Sequence, residues 1–205
     1  MNILLSAGPT VEPLDAVRFL SNRSSGRMGV AIATQAKETG HGVRVVHGPL
    51  SVPYTPDQDW HSVETAVEML ECLKKHMSWC DVLIMSAAVC DFRPVQSVEG
   101  KQNKESMGSI QLVQNPDIAK SLAEEFSRKH IVVFSLENSL SPERPLKKMR
   151  AKSADWVIYN QLQSMGADIS RFGILNKEGE TILALSEYSK SELAENLIRK
   201  LEASV

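Results

Sequence analysis

The sequence predicts an α/β fold, a doubly wound parallel sheet that closes with a β-hairpin and a helix. Three observations carry that expectation. Short apolar runs recur along the chain, helical patterns separate them, and a glycine-containing turn near the end joins two further apolar runs. The runs are almost continuously apolar, which fits parallel strands covered on both faces better than strands with one wet face. Strand alternating with helix implies a parallel sheet wound by right-handed crossovers.

The elements follow in order. Ile3 to Leu5, running into Ser6-Ala7-Gly8, reads as the first strand, and Val43 to Val46, ended by His47-Gly48-Pro49, as the second. Asp81 to Ser86, Ile131 to Phe134 and Asp155 to Tyr159 read as three more. Helical patterns cover Arg27 to Thr39, Val63 to Trp79, Pro116 to His130 and Arg144 to Lys152. Phe172 to Leu175 and Thr181 to Leu185 read as a hairpin with its turn near Gly179. The final helix, Lys190 to Leu201, starts behind a serine cap at Ser189. Gln96 to Ser109 is polar and contains glycine, so it is a surface loop or a lid. With no repeat, no low-complexity tract and no linker, residues 1–205 read as a single Rossmann-like domain.

Composition narrows the function. A chain of 205 residues with 42% hydrophobic residues has enough apolar material for a globular core. A formal net charge of -2 gives no support to coating nucleic acid. Three cysteines, an odd number, suit a reducing compartment better than a disulfide framework. No apolar run reaches the roughly 18 residues of a membrane span, and "MNILLSAG" lacks the basic leader of a signal peptide. The expectation is a cytoplasmic enzyme or binding domain with no nucleic-acid or membrane partner.

A doubly wound sheet invites a dinucleotide, and the sequence argues against one. The dehydrogenase fingerprint packs three glycines directly after the first strand and places an acid at the end of the second. Here a long loop separates Gly8 from Gly26, and the second strand ends in His47-Gly48-Pro49. There is no P-loop pattern either. The stretch Ser21 to Gly29, "SNRSSGRMG", opens a helix with small polar groups and cations. It has two readings: Ser24 or Ser25 caps the helix, or Ser24, Ser25 and Gly26 let an anion approach the free N–H groups there.

Four motifs in fixed order then carry a resemblance: "SAGPTVEPLDAVRFLSNRSSGRMG", "VHGPLSVP", "SAAVCDFRP" and "QNPDIAKSLA". Over nearly the whole chain, from Asn2 to about Leu201, it resembles the phosphopantothenoylcysteine synthetase family. In many bacteria that family's domain is the C-terminal half of a bifunctional coenzyme A biosynthesis flavoprotein. The flavin-dependent decarboxylase half has no counterpart in this sequence, so no flavin is expected, and the chain resembles a free-standing synthetase or an excised domain. Family members join 4′-phosphopantothenate to L-cysteine with a nucleoside triphosphate, usually CTP in bacteria, and ATP as the alternative. The carboxylate attacks the α-phosphate to give an acyl-nucleotide and pyrophosphate, and the cysteine amine then displaces the nucleoside monophosphate. Magnesium is expected with the triphosphate, but no carboxylate cluster identifies protein ligands. The family is dimeric, with parts of the site lent across the interface, so a homodimer is expected; a separate decarboxylase is a further partner the resemblance raises.

Residue by residue, the resemblance implies the following roles. Lys101, ten residues beyond Asp91, matches the family's catalytic lysine, which stabilises the transition state of acyl-nucleotide formation. Asn22 matches an asparagine that binds phosphopantothenate and assists the second half-reaction. Ser24, Ser25, Gly26 and Ala88 are expected on the substrate side. On the nucleotide side the expected residues are Ser86, Ala87, Asp91, the Pro116-Asp117-Ile118 loop that reads the base edge through its backbone, and Phe134. Lys148 and Lys152, four apart on one helix face, match the triphosphate lysines. Four departures from the family pattern stand out: Pro9 replaces a glycine and Arg23 a histidine, Asn103 stands where Lys-x-Lys-Lys has its third residue, and "VFSLEN" replaces "GFAAET". Lys104 keeps the last lysine of that pattern.

The bland readings are as specific. Cys72, His76 and Cys80 share a helix face, but three candidates without a paired CxxC read as a half-buried face. His41 and His47 flank a strand and read as structural. Cys90 has nothing that marks it as a nucleophile. Two rival functions remain at this level: an NADP-dependent reductase on the same sheet, and a non-catalytic nucleotide-binding subunit.

Overall fold

The computed structural model describes residues 1–101, 108–162 and 167–204. The chain starts with β1 (Asn2–Ala7), makes a short pair, β2 (Val11–Pro13) and β3 (Phe19–Ser21), and enters α1 (Arg27–Glu38). It continues through β4 (Gly42–His47), β5 (Trp60–Ser62), α2 (Ala66–His76) and β6 (Val82–Met85). A second short pair, β7 (Phe92–Pro94) and β8 (Leu112–Gln114), precedes α3 (Ile118–Glu125), β9 (His130–Glu137), α4 (Glu143–Ala151) and β10 (Trp156–Gln161). The chain then forms β11 (Ile169–Asn176), β12 (Thr181–Ser189) and α5 (Lys190–Glu202).

Eight strands build the main sheet in the order β12-β11-β10-β9-β6-β1-β4-β5. From β5 to β10 every neighbour is parallel, whereas β10–β11 and β11–β12 are antiparallel. The hairpin expected at the end of the chain is therefore the continuation of the sheet. From β1 the chain winds out to β4 and β5, then returns to place β6 on the other side of β1. The carboxyl ends of β1 and β6 thus form the topological switch point, where open α/β sheets bind ligands.

Side chains along the buried strands divide between two cores. Ile3 and Leu5 of β1 join Ile32 and Ala33 of α1 and Leu197 of α5 on one face. Leu4 joins Leu73 of α2, Leu122 of α3 and Met149 of α4 on the other. Each fully buried aliphatic side chain contributes roughly 1.5–3 kcal/mol relative to exposure, so both faces hold the sheet rigid beneath its loops.

The helix ends are set by local chemistry. Ser189 caps α5 in a reciprocal box with Glu192, and Thr65 does the same for α2 with Glu68. α1 differs from both. Its N-cap position is Gly26, in the left-handed region at φ 78°, with no side-chain cap. The serines before it make only local turns, Ser24 Oγ accepting from Gly26 N at 3.3 Å and Ser25 Oγ from Arg27 N at 3.4 Å. The serine-cap reading of this segment is therefore corrected.

Candidate functional site

The loops at the carboxyl edge of the sheet bring most of the sequence-picked residues into two adjoining groups. The first lies at the switch point. Gly29 sits in the first turn of α1 so close to β1 that an added Cβ would lie 2.5 Å from Ala7 Cβ and 2.9 Å from Ser86 Oγ. That contact seats the first turn of α1 on the ends of β1 and β6, while Gly26, in the turn before it, lies against Leu50 and Gly8. Ser86 Oγ donates to Ser6 O at 2.8 Å, and Ala87 N donates to Ser6 Oγ at 3.2 Å, locking the end of β6 to β1. Asn22 reaches the same strand end: its amide nitrogen lies 3.0 Å from Ala88 O and 3.1 Å from Val89 O. Asn22, the Ser24–Gly26 turn, Ser86 and Ala88 thus all lie at the switch point outside the carboxyl ends of β1 and β6, the place where an open α/β sheet has its crevice.

The second group lines a cavity of about 220 Å³. Its walls include Ala87 and Asp91 from the end of β6, Pro116, Asp117 and Ile118 at the start of α3, Phe134 of β9, and Lys152 just beyond α4. Asp117 works twice here. Its carboxylate accepts from Lys120 N at 3.2 Å as the cap of α3, and it also pairs with Lys152. The segment from Ser86 to Asp91 belongs to both groups, so a molecule in the cavity and one in the crevice would meet along it.

Two lysines are placed differently. Lys148 is not among the residues lining the cavity; its ammonium lies 2.6 Å from Glu137 Oε1. Glu137 is 3% exposed and also accepts from Ser135 Oγ at 2.6 Å. Burial pushes its carboxyl up, but the Lys148 and Ser135 hydrogen bonds and the charges of Lys148 and Arg144 outweigh that and hold it below the ordinary range. Lys101 is exposed and also outside the cavity lining. The loop leading to it is tethered, since Gly100 O accepts from Ala16 N at 3.2 Å and Leu14 O from Val98 N at 3.2 Å. Asn103 and Lys104 lie outside the described residues.

Sequence reasoning missed Glu12. It sits on β2, is 1% exposed, and its Oε1 accepts from Ala66 N at 2.9 Å and from Asn115 Nδ2 at 3.1 Å. The sequence signal was slight, an acid within "TVEP" that looks like any loop carboxylate. Cys90 also lines the cavity, and burial raises its thiol, keeping it protonated rather than nucleophilic. Among the described residues no group of three His, Cys, Asp or Glu is placed to hold a metal ion, and the Cys72–His76–Cys80 face is no exception. His41 pairs with Glu202 at 3.0 Å, and His47 packs edge-on against Tyr54 and Trp60, as structural residues do.

The comparisons with known proteins match nearly the whole chain. Residues 1–204 fit the family model described as the DNA/pantothenate metabolism flavoprotein C-terminal domain. The chain belongs to this family. It is 32% identical to the coenzyme A biosynthesis bifunctional protein CoaBC of Borreliella burgdorferi, over 97% of this chain and 52% of that one. Another prokaryotic relative, named cysteine/cysteine sulfinic acid decarboxylase, is 34% identical over 97% of this chain and 57% of its own length. The chain therefore spans little more than half of these curated relatives. A solved structure, the C-terminal domain of CoaBC, superposes with a TM-score of 0.80 at 33% identity, covering 98% of this chain and 96% of that one. Among the described residues no helix is long and apolar enough to cross a membrane.

Proposed function

We propose that this chain is a phosphopantothenate–cysteine ligase of coenzyme A biosynthesis, joining 4′-phosphopantothenate to L-cysteine with CTP, or ATP as the alternative. The observation that carries the reading is the convergence of Ala87, Asp91, Pro116–Ile118, Phe134 and Lys152 on one cavity that shares the Ser86–Asp91 segment with the Asn22–Gly26 crevice. Membership of a family whose relatives include coenzyme A biosynthesis proteins supports it.

In this reading the nucleoside occupies the cavity, with its base against the start of α3, where backbone groups read its edge, and against Phe134. Lys152 and Lys148 face the triphosphate; both are already paired with carboxylates, so phosphate oxygens take over part of each lysine's bonding. Phosphopantothenate lies in the crevice, its anionic end towards the uncapped start of α1. Its carboxylate attacks the α-phosphorus and pyrophosphate leaves. Lys101 closes over the reacting phosphate and stabilises the negative charge that builds there. Asn22, fixed at Ala88 and Val89, then holds the acyl-nucleotide while the cysteine amine attacks its carbonyl and the nucleoside monophosphate departs. Magnesium supplies charge neutralisation on the triphosphate; it would be carried by the phosphates, with Asp91 and Asp117 as the cavity's carboxylates, in keeping with how this ion binds.

A dimer, as expected from the family, would draw on apolar side chains left exposed at the two short strand pairs. Phe19, Phe92, Val95, Ile110, Leu112 and Val113 are all at least 40% exposed on or beside the two short strand pairs. We assign these two short pairs to the contact with a second copy of the chain, because an isolated two-stranded pair is marginal in water without further cover.

The deciding experiment is pyrophosphate release with phosphopantothenate, cysteine and magnesium, run with CTP and ATP in parallel and with Lys101→Ala beside them. Release that falls about a hundredfold or more in the variant, with its fold intact, is expected. Nucleotide binding without release would leave a binding subunit, and binding of NADPH alone would leave the reductase.

A further inference from the structure

We infer that Glu12 is a positioning residue for nucleotide binding, acting through Asn115. The inference rests on the proposed reading of the cavity as the nucleotide site. Glu12 is a nearly fully buried carboxylate that makes no ion pair among the described residues. One of its oxygens joins two distant parts of the chain. It accepts from Ala66 N, in the first turn of α2, and from the side chain of Asn115, immediately before the Pro116–Ile118 wall of the cavity. The positive end of α2 offsets the cost of burying the acid.

Asn115 passes that constraint on. It is buried, and its side-chain nitrogen also donates to Cys90 O at 2.9 Å. Its side-chain oxygen accepts from Arg93 Nη1 at 2.9 Å, and its backbone N donates to Asp91 O at 2.8 Å. Cys90, Asp91 and Asn115 all line the cavity. Glu12 therefore sets the distance between the cavity's two backbone walls, the strand end at 90–91 and the loop at 115–118, without touching the cavity itself. Proline at 116 has no N–H, so that turn cannot be held by a bond from its own backbone nitrogen. The side chain of Asn115 does the holding, and Glu12 orients it.

Titration of CTP and of phosphopantothenate into the full chain, each in magnesium, separates this role from a merely structural one. Glu12→Ala removes both acceptor bonds and leaves Ala66 N and one Asn115 side-chain N–H without that partner, so the 115–118 wall loosens and CTP binding is expected to weaken about tenfold or more. Phosphopantothenate binding is expected to fall clearly less than CTP binding, because the bonds of Asn22 go to Ala88 and Val89 and not to Glu12 or Asn115. Glu12→Gln keeps an oxygen able to accept both donors and is expected to restore CTP binding. Asn115→Ala is expected to reproduce the defect, and the double variant to be no worse than Asn115→Ala alone. Unchanged CTP affinity in folded Glu12→Ala, or equal losses for both ligands, overturns the inference. Should Glu12→Ala not fold, Asn115→Ala and Glu12→Gln carry the test: normal CTP affinity in Asn115→Ala overturns it equally. A wild-type chain that binds neither CTP nor ATP overturns the nucleotide reading itself, and this inference with it.

Discussion

The ammonium of Lys148 and the buried carboxylate of Glu137 lie 2.6 Å apart, one half-exposed on α4 and the other enclosed at the end of β9. The carboxyl is held below its ordinary value near 4.5, so the folded state binds its proton less readily than the unfolded chain does. The stabilisation this gives is complete above about pH 4.5 and is lost as pH falls through the folded-state value. Urea unfolding from pH 3 to 7 checks it, comparing wild type with Glu137→Gln. The wild-type midpoint is expected to drop more steeply below pH 5, and parallel curves would show that the pair contributes no pH-dependent stability.

A second pH effect has its origin at the far edge of the sheet. His76 stacks on His61 with ring centroids 4.4 Å apart, and Arg44 Nη1 lies 3.3 Å from His76 Nδ1. Burial, then the charges of His61 and Arg44, depress the His76 imidazole below its ordinary 6.5. Its contribution is therefore intact above pH 6.5 and lost as pH falls through the lower folded value. His76→Gln is expected to flatten the change in urea midpoint between pH 7.5 and 5, leaving the part due to His130, which burial also depresses. A variant as pH-sensitive as wild type would count against the stacked pair as the source.

Much of the fold was legible because its central strands are buried on both faces and so read as apolar runs whatever their neighbours are. Val82–Met85 and Trp156–Tyr159 are buried at every position. The strands that were missed are three residues long and owe their form to pairing rather than pattern. Leu112–Gln114 of β8 is exposed throughout, and only its ladder to Phe92–Pro94 makes it a strand. The candidate site was legible where the chemistry lies in a local motif, as at Asn115-Pro116-Asp117-Ile118. It was illegible where burial creates the role. Glu12 finds its partners 54 and 103 residues away, and nothing in its own neighbourhood announces them. Nor does the sequence tell that Lys148 and Lys152, four apart, face different carboxylates.

Gly29 offers a test of the switch point in which two effects oppose each other. Alanine in place of a helical glycine gains about 1 kcal/mol of helix propensity. Against that, the new methyl group would meet Ala7 Cβ at 2.5 Å and Ser86 Oγ at 2.9 Å, and overpacking of this kind typically costs about 1–3 kcal/mol. The contact is expected to win. Gly29→Ala should unfold at lower urea and bind phosphopantothenate more weakly, because α1 must move away from the Ser86–Ala88 segment. A stabilised variant with unchanged binding would mean that α1 does not need this close approach.

The exposed face at the short strand pairs makes the quaternary prediction. Leu112 is 48% exposed and belongs to neither buried core, so a charge there costs the isolated chain little. Leu112→Glu places two carboxylates opposite or near each other if two copies meet on this face, and like charges in a desolvated interface strongly oppose association. Sedimentation equilibrium is expected to find a wild-type dimer and a monomeric variant with nearly unchanged circular dichroism. In the proposed reading ligase activity should fall with the dimer, because the site would draw on both copies. A variant that remains dimeric and active would place the partner on another surface. A monomeric wild type would mean that the chain's own loops complete the site.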